Sequence, residues 1–98
     1  MTYAVLFEDD ERFSDKRTEH MNEHLSFLEK NAASILSAGP LNNSDDGTPA
    51  GGLWLVDAQS AQNVQSLVEA DPFWPTGLRK SVTICEWKQV FANGKRQI

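Results

Sequence analysis

The chain is short of cysteine, of basic residues and of long apolar runs, and the first and last of these shortages already exclude classes of protein. Its 98 residues include one cysteine, Cys85, so no internal disulfide can form and a reducing compartment suits the chain. No stretch approaches the roughly 20 apolar residues that cross a bilayer, and the amino terminus lacks a basic signal-peptide segment. We therefore expect a cytoplasmic protein with no membrane partner.

The shortage of positive charge excludes a further class of partner. Nine Lys and Arg residues stand against 14 Asp and Glu residues, which gives a formal net charge of -5. Nucleic-acid binding needs a basic surface, so no nucleic-acid partner is expected. Apolar residues make up 40% of the chain, close to the average for globular proteins. Together with the length, this predicts a single domain over residues 1–98, with a polar tail at 91–98 that is expected to fray.

The spacing of apolar residues predicts six elements. They are a strand over residues 2–8, a helix of about 18 residues after an N-cap at Ser14, strands over 34–41 and 51–58, a helix from an N-cap at Ser60 to Ala70, and a strand over 81–91. This βαββαβ order is typical of the ferredoxin-like α+β fold. Right-handed crossovers then place both helices on one face of a four-stranded antiparallel sheet.

The first and third predicted strands are apolar on both faces. Leu6 alternates with Val5 and Phe7 in the first strand, and Leu53 alternates with Trp54 in the third. Two helices can cover only one face of the sheet, so the apolar residues of the other face need a separate cover. The simplest cover is the same face of a second copy, which predicts a homodimer formed through the sheet.

The two histidines, His20 and His24, are the first candidates for chemistry. Their spacing of four matches an H-x-x-E-H zinc motif, and it places both imidazoles on one helix face. A zinc peptidase also needs a further ligand and a substrate cleft, and such enzymes are far larger than this chain. We therefore expect neither a metal nor another cofactor.

His24 pairs more plausibly with Asp71. His24 lies on the apolar side of its predicted helix, and Asp71 follows the second helix directly before a proline. Helices that lie side by side on the sheet can bring the two residues together, and a His–Asp pair supports general acid/base catalysis. In the alternative reading, Asp71 only caps the turn and His24 is a surface residue. Cys85, in a strand without a basic partner, is expected to be buried and inert.

Several short segments, in this order and at this spacing, resemble the YCII-related domain family. They are EHLSFL at residues 23–28, AGPL at 38–41, Gly52, ADPF at 70–73, and Gly77. The resemblance extends from the first strand to Trp87. It implies a dimeric α+β barrel, in which ferredoxin-like subunits pair through their sheets. It also implies a His–Asp site beside the sheet, at His24 and Asp71.

The resemblance also bears on the substrate. Arg17 stands at a position that is often basic in the family, where it could hold an anionic substrate, whereas Met21 replaces a residue that is often basic. We name Arg17 and Phe73 as substrate-binding candidates. The expected function is acid/base catalysis on a small cyclic or phenolic metabolite, by an isomerase, lyase or dehalogenase. The alternatives are a non-catalytic dimer that binds a small molecule and a subunit that binds a protein partner.

Overall fold

The computed structural model describes residues 1–98 and confirms the ferredoxin-like α+β fold. The elements are β1 (Thr2–Asp9), α1 (Asp15–Glu19), α2 (Met21–Lys30), β2 (Ile35–Asn42), β3 (Pro49–Asp57), α3 (Ala61–Ala70), β4 (Arg79–Glu86), β5 (Phe91–Ala92) and β6 (Lys95–Arg96). The four long strands form an antiparallel sheet in the order β2-β3-β1-β4, with the helices on one face. None of the helices is long and apolar enough to cross a membrane.

The core lies between the helices and one face of the two central strands. Val5 of β1 stands opposite Trp54 of β3, and the alternate residues of both strands point to the same side. The members of the core cluster are Tyr3, Val5, Phe7, Ile35, Trp54, Val56, Val64 and Val68. The two valines of α3 close this core from above, because they recur at the helical spacing of four.

The other face of the sheet is apolar and uncovered in the single chain. Leu6 stands opposite Leu53 on one side and Thr83 on the other, and its side chain is 42% exposed. Cys85 belongs to the same face and is exposed, so the prediction of a buried thiol is wrong for one chain. The strand alternation was read correctly, but this face has no covering layer within the chain.

The first predicted helix is divided. Its residues form α1 and α2, which meet at His20, where the backbone leaves helical geometry at φ -108° and ψ 13°. Ser14 has helical dihedral angles and its side chain makes no capping hydrogen bond, so the predicted N-cap is wrong. Arg17 of α1 is paired with Asp9 of β1, whereas α2 packs on the sheet through His24. The two halves therefore dock on different parts of the sheet.

The last predicted strand begins and ends earlier than expected. β4 covers Arg79–Glu86, and the Trp87 amide makes the final contact, to the carbonyl of Thr2. β1 begins at Thr2, so residues beyond Trp87 have no neighbouring strand to pair with. Within the segment predicted as a tail, β5 and β6 pair with each other as a short hairpin.

The second helix follows the sequence prediction closely. The Ser60 hydroxyl accepts a hydrogen bond from the Asn63 amide at 3.1 Å, and α3 ends at Ala70. Asp71 then adopts an extended conformation, as expected for a residue before proline. This change of direction turns the Asp71 side chain back under the helix layer, toward α2.

Candidate active site

The structure brings His24 and Asp71 together in a buried position. His24 Nδ1 lies 2.8 Å from Asp71 Oδ1, and the two side chains are 8% and 2% exposed. An ionised carboxylate can only accept a hydrogen bond, so the pair is satisfied when Nδ1 carries the proton and donates it. Nε2 then carries the lone pair, and it makes no hydrogen bond within the chain.

The loop after α3 holds Asp71 in place. The Phe73 amide donates to Asp71 Oδ1 at 3.1 Å, and the Trp74 amide donates to the Asp71 carbonyl at 2.8 Å. The turn-capping alternative is therefore also true of Asp71, because the same oxygen caps the turn and accepts from His24. The other half of that alternative is wrong, since His24 is buried and not a surface residue.

Aromatic rings fix the orientation of the imidazole. The Phe73 ring stacks on His24 at 4.1 Å between centroids and 15° between planes, and the Trp54 ring lies 6.5 Å away. Phe73 is completely buried. Its ring is stacked on His24 and has no exposed surface in the single chain, so the predicted contact between Phe73 and a substrate stays a prediction.

A buried arginine completes the site, and the sequence did not reveal it. Arg79, the first residue of β4, has a side chain that is 4% exposed, and its Nη1 donates to Asp9 Oδ1 at 3.0 Å. Its Nη2 lies 3.9 Å from Asp71 Oδ2. Gly52 of β3 lies beside this group, since a Cβ atom there would meet Arg79 Nη1 at 3.4 Å, close to an ordinary contact distance. The available signal was a basic residue two positions after Gly77, in a chain with few basic residues.

Asp9 connects the two arginines of the site. Its second oxygen pairs with Arg17, the predicted anion-binding residue, whose side chain is 25% exposed. Burial lowers the pKa of Arg79 below its ordinary value, and Asp9 opposes this shift. An arginine pKa starts so high that the guanidinium remains charged at neutral pH. The pair of cations is thus balanced by Asp9 and Asp71.

A small cavity beside α2 gives access to these groups. Its volume is about 90 Å³, and it is lined by Arg17, Met21, His24, Leu25, Leu28, Ala38, Gly39, Pro40, Trp54 and Arg79. A larger surface hollow of about 660 Å³ lies at the end of β1, but most of the residues that line it have charged side chains and none is a histidine. We place the site at the smaller cavity, because His24 lines it.

The second histidine takes no part in this arrangement. The nearest carboxylate to His20 Nδ1 is that of Glu23, at 3.5 Å. His24 lies against Asp71, which its Nδ1 contacts at 2.8 Å. The structure contains no group of three or more His, Cys, Asp or Glu side chains placed to hold a metal ion.

Comparison with known proteins gives a matching family and similar solved structures. The sequence model of the YCII-related domain family matches residues 1–88. The structure of 5-chloro-2-hydroxyhydroquinone dehydrochlorinase from Burkholderia phenoliruptrix AC1100, in complex with 2,5-dihydroxybenzoquinone, is 29% identical, with 90% of this chain and 94% of that chain covered and a TM-score of 0.76. A structure from Arabidopsis thaliana is 11% identical, with 94% and 97% covered and a TM-score of 0.48. The comparison with curated proteins gave no match.

Proposed function

This chain belongs to the YCII-related domain family, and we propose that it is an acid/base enzyme acting on a small hydroxylated ring through His24 and Asp71. The observation that carries the proposal is the buried 2.8 Å contact between His24 Nδ1 and Asp71 Oδ1. It leaves Nε2 as the one imidazole nitrogen able to exchange a proton with a ligand in the cavity.

The chemistry of this pair is a single proton transfer that can run in either direction. Nε2 takes a proton from a hydroxyl group, or from a carbon acid next to a carbonyl group, and the electron pair stays on the substrate. Asp71 stabilises the imidazolium that forms, as an orienting carboxylate does in other acid/base sites. His24 then returns the proton to carbon in an isomerisation, or releases it to solvent as a leaving group departs.

The substrate class is supported by the similar dehydrochlorinase structure. That protein is named for a chlorinated hydroxyhydroquinone and was solved with a dihydroxybenzoquinone. The cavity here, at about 90 Å³, is smaller than the roughly 150 Å³ of a cavity that admits benzene. A bound ring therefore extends past the rim, toward Arg17. We propose that Arg17 binds an anionic substituent of the substrate there. Phe73, which stacks on His24, would hold the imidazole facing the substrate ring.

The working unit that we propose is a homodimer formed through the open sheet face. The apolar residues of that face are Ala4, Leu6, Leu53, Leu55 and Cys85. The same face borders a hollow of about 240 Å³ that shares Ala38, Gly39 and Pro40 with the His24 cavity. Strand β2 therefore separates the candidate site from the proposed interface. Dimerisation would fix the position of β2, which forms one wall of the His24 cavity.

Charge placed on this face is expected to separate the dimer. Leu53→Glu puts a carboxylate among apolar side chains, and burying it unpaired in an interface costs several kcal/mol. Sedimentation velocity should show a dimer for the wild type and a monomer for the variant. Gln62→Glu, on the exposed side of α3, adds the same charge and should remain dimeric. A monomeric wild type at micromolar concentration would refute the proposed assembly.

The enzyme proposal is tested by turnover in the presence and absence of the orienting carboxylate. We expect the wild type to release chloride from 5-chloro-2-hydroxyhydroquinone or to isomerise a halogen-free hydroxyhydroquinone. Asp71→Asn replaces an acceptor by an amide that also donates, so His24 loses its preferred tautomer. In a serine-protease triad the same change of the orienting aspartate lowers kcat by about 10⁴-fold, so we expect kcat/KM to fall by at least about 10²-fold.

The same assay separates the enzyme from a binding module. The non-catalytic alternative predicts tight binding of 2,5-dihydroxybenzoquinone that is insensitive to Asp71→Asn. It also predicts no turnover of either hydroxyhydroquinone. Circular dichroism of the variant serves as the control for folding, because Asp71 also caps the turn before Phe73.

A further inference from the structure

We propose that Arg79 is the oxyanion-binding residue of this site and that the substrate is bound as a phenolate or enolate. The inference rests on the proposed function, since it names the charge state of the substrate at the same cavity. The donor is Arg79 Nη2. It would donate a hydrogen bond to the substrate oxygen that becomes negatively charged when the substrate loses its proton.

The first argument is the bonding of the guanidinium. Only Nη1 has a hydrogen-bond partner, Asp9 Oδ1 at 3.0 Å. Nε is buried without any partner, and Nη2 stands 3.9 Å from Asp71 Oδ2, beyond hydrogen-bond distance. A buried charged donor that lacks a partner is costly, and proteins retain such groups at functional sites. The structure thus holds a cation with spare donors on the cavity wall.

The second argument is the position of Arg79 relative to His24. The two residues approach Asp71 from different sides, since His24 contacts Oδ1 and Arg79 Nη2 is nearest to Oδ2. Both pack on the Phe73 ring, His24 at 4.1 Å and the Arg79 guanidinium carbon at 5.3 Å. One carboxylate and one ring therefore hold the proton carrier and the cation at neighbouring points of the same cavity.

The third argument is rigidity. The Arg79 guanidinium also lies over the Phe7 ring at 4.1 Å, so it is flanked by one aromatic ring from β1 and one from the loop after α3. A donor that is already held in place needs no reorganisation when charge appears on a substrate oxygen, and this is the basis of oxyanion stabilisation in enzymes. Arg17, the other cation that lines the cavity, is more exposed and lies nearer its rim.

The proposed step balances without any co-reactant. The substrate O–H bond breaks, its proton goes to His24 Nε2, and the electron pair remains on the oxygen, which accepts a hydrogen bond from Arg79 Nη2. The charged groups that face this oxygen are then the His24 imidazolium, Arg79, Arg17, Asp9 and Asp71. A neutral ether at the same position offers no negative charge for Arg79 to bind.

The test uses 4-nitrophenol, whose ionised form absorbs visible light, so the charge state of the bound probe is read directly. A hydrogen bond from a charged donor corresponds to about one to two pKa units. We expect wild-type protein to lower the pKa of bound nitrophenol by that amount and Arg79→Gln to remove the shift. Arg12→Gln, at an arginine 81% exposed, is the matched control and should leave the shift unchanged.

Further variants separate this inference from the proposed function. His24→Gln should retain most of the shift if Arg79 carries it, whether or not the wild type turns over a substrate. If Arg79→Gln does not fold, Arg79→Lys replaces it. The lysine keeps the charge at Asp9, but its single nitrogen cannot also occupy the position of Nη2, so the shift should shrink. An unchanged shift in a folded Arg79 variant, loss of the shift in His24→Gln, or wild-type protein that binds no nitrophenolate would overturn the inference.

Discussion

Replacing His24 by glutamine is expected to reduce kcat by about 10²- to 10⁴-fold, the range for loss of a positioned acid/base group. Glutamine has a similar length and can still hydrogen-bond to Asp71, but its amide cannot take up a proton near neutral pH. The measurement is steady-state turnover of the ring substrate found with wild-type protein, together with its dependence on pH.

The natural control is the other histidine. His20→Gln changes the same type of residue four positions earlier, at the junction of α1 and α2, where no contact with Asp71 exists. We expect kcat within a factor of about two of the wild type for this variant, because it removes no group of the proton-transfer pair. Equal activity of His24→Gln and wild type would end the acid/base proposal.

The second large effect is expected at Trp54, on stability. Its ring is 1% exposed and contacts the rings of Phe7 and Phe27, with centroid distances of 5.1 and 6.1 Å. Trp54→Ala leaves a cavity in the only core of the chain, and such changes cost about 3–5 kcal/mol. Urea unfolding followed by circular dichroism should show this loss as a lower midpoint with a similar slope.

An exposed aromatic residue provides the comparison. Phe91 of β5 is 62% exposed, and Phe91→Ala should change the free energy of unfolding by no more than about 0.5 kcal/mol. Trp54→Phe keeps a ring in the core and should lose less stability than Trp54→Ala. A Trp54→Ala variant with the wild-type urea midpoint would show that Trp54 does not stabilise the core.

Much of the fold could be predicted, because its signals are local. Alternating apolar residues in β1 and β3, the Ser60 cap and the Asp71-Pro72 stop each depend on neighbours within a few positions. The errors occurred where tertiary contacts compete with local pattern. The periodic first helix is divided at His20, because Arg17 before the break pairs with Asp9 whereas His24 after it packs against the core.

The candidate site divides in the same way. His24 and Asp71 could be paired from the sequence, because the fold order places their helices side by side and Asp71 stands at a marked helix end. Arg79 could not be added to them, since its place near Gly77 in an acidic chain does not show which groups surround it in the fold. Its role depends on Asp9, Phe7 and Phe73, which come from other elements.

The sequence by itself determined the order of elements, the two-sided apolar strands and the two residues able to share a proton. These follow from periodicity and from side-chain chemistry, which each short segment carries with it. Only the tertiary structure decided that His24 is buried at 2.8 Å from Asp71 and that a scarce positive charge, Arg79, lies beside them. Buried charge is set by which distant groups surround it, and that depends on the folded chain.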